Sequence, residues 1–584
     1  MKSTTGKMFN SKYWWLALLV VLVAVNFLAS AFHARFDLTK EKRYTLSKPT
    51  KELLKNLDDN VSIDVFLKGE FPAGFQKLAN STVDFLKLLK DRNGSKINYR
   101  LISPKEEIPG TNIKYGDSLV SLGASPINLT VQIKEGQQQN YIFPAALIHY
   151  KGQQQLVNLY SGSNRFISQN EINEAEALLE YQFVSVLDKL INNKKPSIAY
   201  SVGNGEPVDA RPYDLMQTLK QDYDFGMVDL QTQPRVPDKA DVLIIVKPSM
   251  QFSEEEKIKL DQFVMRGGHL LCFIDNLYAE SDSLAFKPET IAYDRNLNLT
   301  DLFFRYGARI NTDLVMDLQC EAIPFVVGRS NSGQPQQEFL HWNYYPLFQS
   351  INNHPINRNL GLIGSRFVNS MDTINVPGVK KTILLSSSFS SRTISTPALI
   401  SLNENRNTAE DANFKKANIP VAILLEGSFT SLYRNRVSAA MMDTLEFYKT
   451  PFLASSKSNK IIVVSDGDMV LNEFVPSQGP GSPPLPLPMG WNRYAYEAYD
   501  QKTEDGKYFI PVANRQFLQN CLEYLVANPA IIETRNKNII LRLLDTKKVK
   551  EQKTTWQLIN IALPVLLVIL FGFFYQQIRK RKYS

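Results

Sequence analysis

Two long apolar stretches stand at the ends of this chain, Trp14–Phe32 and Trp556–Tyr575, and the sequence between them is polar enough to fold in water. Each is about as long as a helix must be to cross a hydrocarbon core of roughly 30 Å, and each carries aromatic residues at its margins, where headgroups lie. The pattern predicts transmembrane helices at 13–32 and 556–575 flanking a large folded body. Two spans do not enclose a translocation path, so a body tied at both ends is placed to act on something in or beside the same membrane.

Lys2, Lys7 and Lys12 precede the first span without an acid, and Arg579, Lys580, Arg581 and Lys582 follow the second. This favours cytoplasmic tails at 1–12 and 576–584. The opposite flanks, with Arg35, Lys40, Lys42 and Arg43 and then Lys547, Lys548, Lys550 and Lys553, nearly balance the count. The basic start, the apolar run and Ala29-Ser30-Ala31 look like an export signal, which breaks the tie and sends the body outward. The run is long for a signal core and is read as a retained anchor, with cleavage after Ala31 as the alternative. The two tails supply seven of the eight net positive charges, so the pI near 9.0 reports membrane flanks and implies no nucleic-acid partner. With 584 residues, 44% of them hydrophobic, the interior has room for two to four domains. Cys272, Cys320 and Cys521 are odd in number and widely spaced, and no CxxC occurs, which argues against a disulfide framework, a zinc site and redox work.

Within the body, Val61–Leu67 alternates as a strand, 75–89 reads as a helix and Ile97–Ile102 as a second strand, with further strands at Leu129–Ile133, Tyr141–Tyr150 and Gln155–Leu159. This predicts a small α/β domain over 33–165, thioredoxin-like in outline but lacking the CxxC. A helix over Glu171–Ile191, opened by a Ser168/Glu171 capping box, forms a link at 166–195. From Pro196 strands and helices alternate: Ile198–Val202, Pro212–Gln221, Ala240–Val246, Ser253–Met265, then His269–Ile274 after Gly267-Gly268. Such short crossovers predict a doubly wound parallel sheet. Thr382–Leu385, Val421–Leu425 and Lys460–Ser465 are its candidate later strands, in one elaborated domain at 196–528. Pro476–Met489 reads as a surface loop, and 529–555 returns the chain to the membrane.

Taken in order, Phe36-Asp37-Leu38-Thr39, Arg43-Tyr44-Thr45-Leu46-Ser47, Gly203-Asn204-Gly205-Glu206, Glu426-Gly427-Ser428-Phe429-Thr430-Ser431 with Asn435-Arg436, Val464-Ser465-Asp466-Gly467-Asp468, Asn520–Leu525 and Arg542-Leu543-Leu544-Asp545 form a series between two terminal spans. Through this series the chain resembles the GldG family, the membrane-anchored accessory component of an ABC transporter associated with bacterial gliding motility, over nearly its whole length. The resemblance implies a partner permease, a partner ATPase, and an inner-membrane location with the body in the periplasm. It supplies no catalytic residue and no substrate.

The residues themselves narrow the chemistry. No GxxxxGK[ST] occurs, so another subunit must hydrolyse any ATP that drives the system; no GxSxG or HExxH occurs, and the five histidines are scattered. No enzyme activity and no cofactor are expected. The turn Gly203-Asn204-Gly205-Glu206 comes after a predicted strand, where open α/β sheets bind ligands, yet Val208 occupies the third glycine position of a dinucleotide fingerprint. Either Gly203, Gly205 and Glu206 bind a small molecule, or the glycines permit a tight turn and Glu206 caps the next segment. Asp466 and Asp468 either converge on a cation or proton, or belong to an Asp-Gly turn bonded to nearby amides; no further carboxylate cluster is visible to complete a cation shell. Cys272 lies inside a predicted strand and reads as a buried inert thiol, not as a nucleophile on a turn. Ser47 is positioned to cap a helix at Lys48-Pro49 with Leu53, Leu54 and Leu57 on one face. That helix either sets the body rigidly on its stalk or simply closes the first core. Three readings remain: a periplasmic accessory, nominally substrate-binding subunit, which is preferred; a tethered enzyme using Glu206, Asp466 or Asp468; and a force-transmitting scaffold.

Overall fold

The computed structural model describes residues 45–583 apart from 70, 125, 134–135, 161–168, 193–194, 330–332, 334, 359, 403–412, 438–450, 476–483, 496–511, 527–528 and 537–545, and before them 19, 20, 22, 23 and 37. The chain is a mixed α/β protein. Helix α1 (Lys48–Lys55) starts where expected: the Ser47 hydroxyl accepts from Thr50 N at 3.3 Å, Pro49 stands in the first turn, and Leu54 and Leu57 are buried. Replacing Ser47 with alanine removes this cap and is expected to lower stability by about 1 kcal/mol, read as a fall in the denaturation midpoint.

Strand β1 (Val61–Val65), helix α2 (Ala73–Arg92) and strand β2 (Ile97–Leu101) make a parallel crossover unit. After a short helix at Tyr115–Ser121 come a separate hairpin of β3 (Ile127–Ile133) and β4 (Gly136–Ile142), then β5 (Ala145–Tyr150), antiparallel to β1, and β6 (Gln153–Asn158), giving the sheet order β2-β1-β5-β6. The single strand expected over Tyr141–Tyr150 is thus two. Pro144 has no N–H for a ladder, and the chain leaves one sheet at Ile142 and joins another at Ala145. Helix α3 (Gln169–Asn192) packs Ala175, Leu179, Phe183 and Leu187 into the same core as Phe75, Leu78 and Leu86 of α2. The Ser168/Glu171 capping box lies outside the described residues.

The second sheet holds β7 (Ser197–Val202), β8 (Asp224–Asp229), β9 (Val242–Val246), β10 (His269–Phe273), β11 (Val379–Ser386), β12 (Pro420–Thr430) and β13 (Ser455–Val464), in the order β11-β12-β13-β10-β9-β7-β8. The five strands from β13 to β8 are mutually parallel. The run Val242-Leu243-Ile244-Ile245-Val246 is buried throughout, as a strand covered on both faces must be. On one face Tyr200, Ile244 and Leu271 pack with Leu215 and Leu219 of α4 (Tyr213–Asp222) and, later in the chain, Phe517 and Leu518 of the helix Asn514–Val526. On the other face Ala199, Leu243 and Ile245 meet Leu260, Phe263 and Val264 of α5 (Glu254–Met265).

All three later strands named from sequence enter this sheet, but the expectation of a wholly parallel sheet is corrected: β12 runs antiparallel to β13, and β11 antiparallel to β12. β12 and β13 are successive strands, and antiparallel neighbours need no crossover helix between them. Gly427, at φ 144° in β12, lies so close to the β11 approach that a Cβ there would sit 2.0 Å from the Gly378 carbonyl oxygen. Between β10 and β11 the chain builds smaller antiparallel sheets, including the long hairpin Cys320–Arg329 with Pro335–Phe348, around buried Trp342, Tyr344, Tyr345 and Phe367. Within Pro476–Met489, Leu485–Pro486 pairs with Phe474–Val475, so part of the expected loop is a short strand; 476–483 lie outside the described residues.

Helix α6 (Asn514–Val526) is followed by α7 (Pro529–Ile532), a 3-10 turn at Glu533–Asn536, and α8 (Thr546–Tyr583) with Pro564 inside it. Its stretch Gln552–Arg581 is long and apolar enough to cross a membrane and contains the expected span 556–575. The other expected span, Trp14–Phe32, falls almost wholly outside the described residues; Leu19, Val20, Leu22 and Val23 are helical and exposed.

Candidate functional site

The connection β7-α4-β8 runs to one side of β7, whereas β9-α5-β10 runs to the other, so the sheet reverses its winding between β7 and β9. The carboxyl ends of strands at such a switch point are where open α/β sheets form crevices. Four loops meet this edge: Gly203–Glu206 after β7, Lys247 after β9, Asp275 after β10, and Asp466-Gly467-Asp468 after β13.

The first turn is locked to its neighbours. Gly203 and Gly205 have φ of 112° and 78°, and Cβ atoms built there would stand 2.6 Å from Asp229 Oδ1 and 2.0 Å from Ser249 Oγ. Glycine is required at both positions by backbone conformation and by close approach. The Asn204 carbonyl accepts from Ser249 N and Met250 N, both at 2.9 Å. Glu206 does not cap the next segment, an option the sequence left open; α4 begins well beyond it, and its Oε2 accepts from Asn204 N at 2.8 Å within its own turn. Asn204 Nδ2 donates to Glu256 Oε2 at 3.1 Å, and burial raises the Glu206 carboxyl above its usual range.

The second group is an ion network centred on Lys247. Its ammonium lies 2.6 Å from Asp468 Oδ1, 3.0 Å from Glu280 Oε2 and 3.2 Å from Asp275 Oδ2, so a lysine side chain stands where a metal would have to bind. Asp466 faces away, with Oδ1 accepting from Asp468 N (2.8 Å) and Met469 N (3.2 Å) and Oδ2 from Arg366 N (3.0 Å). Asp275 accepts from Gly467 N, Arg295 pairs with Glu280, and Arg366 pairs with Glu473 at 2.6 Å. A Cβ on Gly467 would stand 2.6 Å from Lys247 Cβ, which accounts for the glycine between the two aspartates.

Burial would lower the Lys247 ammonium, but Asp468, Asp275 and Glu280 outweigh it and raise it. Burial lifts Asp275 to about 6 and Asp466 well above its ordinary value, whereas for Asp468 the opposing pull of Lys247 wins and the carboxyl is lowered. The network therefore holds a stable ammonium rather than a neutral amine nucleophile.

The structure thus brings Gly203, Gly205 and Glu206 to one end of the edge and Asp466 and Asp468 to another; among the described residues no hydrogen bond or ion pair joins the two groups. Further carboxylates do stand beside Asp468, contrary to the sequence expectation, since Asp275 and Glu280 come from distant segments. Lys247 and Asp275 carried a readable signal, each being a charged residue within two positions of the end of a buried apolar strand. Glu280, Arg295 and Arg366 carried none. Cys272 is buried in β10, and burial raises its thiol, which removes it as a nucleophile. Among the described residues no group of three or more His, Cys, Asp or Glu side chains is arranged to hold a metal ion.

A third constellation lies on α3. Glu180 Oε1 accepts from Ser47 N at 2.8 Å and from Thr50 Oγ1 at 2.6 Å, which fixes the start of α1. One residue on, the Tyr181 hydroxyl donates to Glu523 of α6, and the Arg535 guanidinium stacks 4.1 Å above the Tyr181 ring while pairing with Glu523 at 3.2 Å. Leu53, Tyr181, Val184 and Ile531 close the gap as one apolar cluster. The segment arriving from the amino-terminal side and the segment departing toward α8 are therefore docked at consecutive residues of one helix.

Residues 195–521, more than half of the chain, match the family described as an ABC-type uncharacterized transport system. The chain belongs to this family. Membership ties the chain to an ABC-type transport system. Residues 40–149 match a domain of unknown function. A relative from Borreliella burgdorferi, an uncharacterized protein, is 23% identical over 296 residues, 50% of this chain and 53% of the relative, so the alignment spans about half the length of the curated relative. Among solved structures the chain is similar to the mmIFT52 N-terminal domain (12% identity, TM-score 0.31, 57% of this chain and 98% of that one). It is also similar to the exo-beta-1,4-mannosidase Op5Man5 from Opitutaceae bacterium strain TAV5 (12%, TM-score 0.19, 68% and 46%). Likenesses this low carry no argument about fold or activity.

Proposed function

We propose that this ABC-family accessory chain works as a GldG-type, nominally substrate-binding subunit of a gliding-motility transport complex. Two spans anchor it in the bacterial inner membrane with both termini cytoplasmic. Its doubly wound and smaller thioredoxin-like domains stand in the periplasm beside a permease and an ATPase. The chain has no ATPase activity of its own and is not an enzyme. The observation that carries this reading is the docking of both membrane-directed segments on α3, one at Glu180 and the other through Arg535 at Tyr181, which supports two anchors entering one membrane side by side. The same junction gives a permease that moves the anchors a stiff path into the body.

Purification of the intact protein in mild detergent is expected to bring a permease and an ATPase with it; recovery of the chain alone across several mild detergents overturns the reading. For topology, a cysteine placed at exposed Val208 is expected to react with a membrane-impermeant maleimide once the outer membrane alone is permeabilised. Protection of that cysteine until the inner membrane is broken would put the body in the cytosol instead.

A second reading assigns ligand binding to Gly203, Gly205, Glu206, Asp466 and Asp468. The observation favouring it is that Ser201 Oγ, Asn204 Oδ1 and Glu206 Oε1 are buried without a hydrogen bond of regular geometry. Alanine substitutions at Glu206, Asp466 and Asp468 that leave fold and phenotype intact would remove it, together with any enzymatic role for these carboxylates.

A further inference from the structure

Three side-chain oxygens within six residues are buried without a hydrogen-bond partner: Ser201 Oγ, Asn204 Oδ1 and Glu206 Oε1. Ser201 and Asn204 are fully enclosed, and Glu206 is 6% exposed. The Ser201 hydroxyl stands near enough to Glu206 to favour its ionised form, though it completes no hydrogen bond of regular geometry. Glu256 lies on the far side of Asn204, also buried, with its Oε2 taken by Ser253 N (2.7 Å) and Asn204 Nδ2 (3.1 Å) as part of the α5 capping box. Among the described residues neither Glu206 nor Glu256 makes an ion pair. Among the described residues the turn thus presents acceptor oxygens beside two carboxyl groups with no ion-pair partner, an arrangement that costs free energy unless a proton or a cation enters it.

Any occupant must be small. The glycine contacts to Asp229 and Ser249 and the Asn204 carbonyl bonds to Ser249 and Met250 close the crevice between β7 and β9 around the turn. A hydroxyl, an amide oxygen and a carboxylate are a purely oxygen donor set, which suits a hard cation and not a soft one. We propose that Ser201, Asn204 and Glu206 bind a single hard metal cation at the switch point of the sheet. The ion ties β7 to the turn that meets the Ser249 loop. The site has fewer carboxylates than a dedicated calcium loop and sets its affinity through enclosure rather than charge. The proposal rests on the ligand-binding reading of this turn and is independent of the transport partners, so its failure leaves the co-purification result untouched.

The test uses the full chain in detergent after chelator treatment. Thermal unfolding is followed while calcium, magnesium, sodium or potassium chloride is added singly, with equilibrium dialysis of the responding ion as a direct measure. The expected result is a saturable rise in midpoint with one of these ions and about one ion bound per chain. Both should weaken at least tenfold in Glu206→Gln and in Asn204→Ala and persist in Asp209→Asn, a nearby exposed carboxylate. Should Asn204→Ala fail to fold, Glu206→Gln, which keeps the side-chain shape, decides alone. No response to any of the four ions, or an equal response in Glu206→Gln, overturns the proposal. A protonated-carboxyl infrared band at neutral pH that disappears in Glu206→Gln would show that a proton fills the site instead.

Discussion

Replacing Lys247 with methionine is expected to destabilise the folded chain by roughly 3–5 kcal/mol, the range typical of removing one partner from a buried ion cluster. Methionine keeps much of the aliphatic stem but removes the charge that Asp468, Asp275 and Glu280 approach at 2.6–3.2 Å. Arg295 still pairs with Glu280, and Asp468 and Asp275 are left buried with their main counter-charge gone. The loss comes from the stranded carboxylates more than from the missing attraction. Adding Asp275→Asn and Asp468→Asn to the methionine variant should therefore recover part of it, a non-additivity expected of residues in one network. Denaturant unfolding of the detergent-solubilised protein measures both. A loss under about 1 kcal/mol would mean that these charges behave as a surface pair, and the network would then not be what holds the loops after β9, β10 and β13 together.

How far the sequence could reach is visible in this cluster. Val242–Val246 and His269–Phe273 were legible as strands because uninterrupted apolar runs of that length, bounded by turn residues, fit a sheet covered on both faces. The cap at Ser47, the helix after Ser253 and the C-terminal apolar helix were legible because each depends on a few adjacent residues. The direction of β11 and β12 was not, since nothing local to Thr382–Leu385 or Val421–Leu425 encodes which way a strand runs beside its neighbour. The break at Pro144 is signalled by the proline alone, inside an otherwise continuous apolar run. The site divides in the same manner. Gly203, Gly205, Gly467 and Gly427 stood out as glycines, and their reason, close approach of Asp229, Ser249, Lys247 and Gly378, is tertiary. Beyond the local amides that Asp466 accepts from, Arg366 and Lys247 lie some 100 and 220 positions from Asp466 and Asp468, and periodicity carries no information over that range. Nor could composition place Ser47 on Glu180, a contact spanning 133 positions that joins the entry helix to α3.

The contribution of Glu321 to stability should fall as pH rises from about 5 to about 8, against the opposite pull of His354, whose imidazole is lowered by burial from 6.5 to about 4. Glu321 stands in the hairpin strand Cys320–Arg329 at 5% exposure, and burial, which Arg366 opposes only in part, lifts its carboxyl from 4.5 to about 7. The folded chain therefore holds a proton that the unfolded chain releases. A group whose affinity for its proton is higher in the fold contributes stability that is complete below its unfolded value and is lost as pH rises through its folded one. For Glu321 that window runs from about 4.5 to about 7, and the contribution across it is about 3 kcal/mol at 1.36 kcal/mol per tenfold change in proton affinity. Asp275, raised to about 6, acts in the same direction over a lower window, while Asp468, lowered by Lys247, acts in the opposite sense at more acid pH. Wild type and Glu321→Gln compared by denaturant unfolding at pH 5 and pH 8 separate these contributions. Glutamine resembles the neutral acid in shape and hydrogen bonding but has no proton to lose, so the decline between pH 5 and pH 8, which begins just above the unfolded value, should shrink by about 2.5 kcal/mol in the variant. If the variant declines as steeply as wild type, Glu321 is ionised in the fold at neutral pH. Arg366, paired with Glu473 at 2.6 Å, would then have to serve both carboxylates.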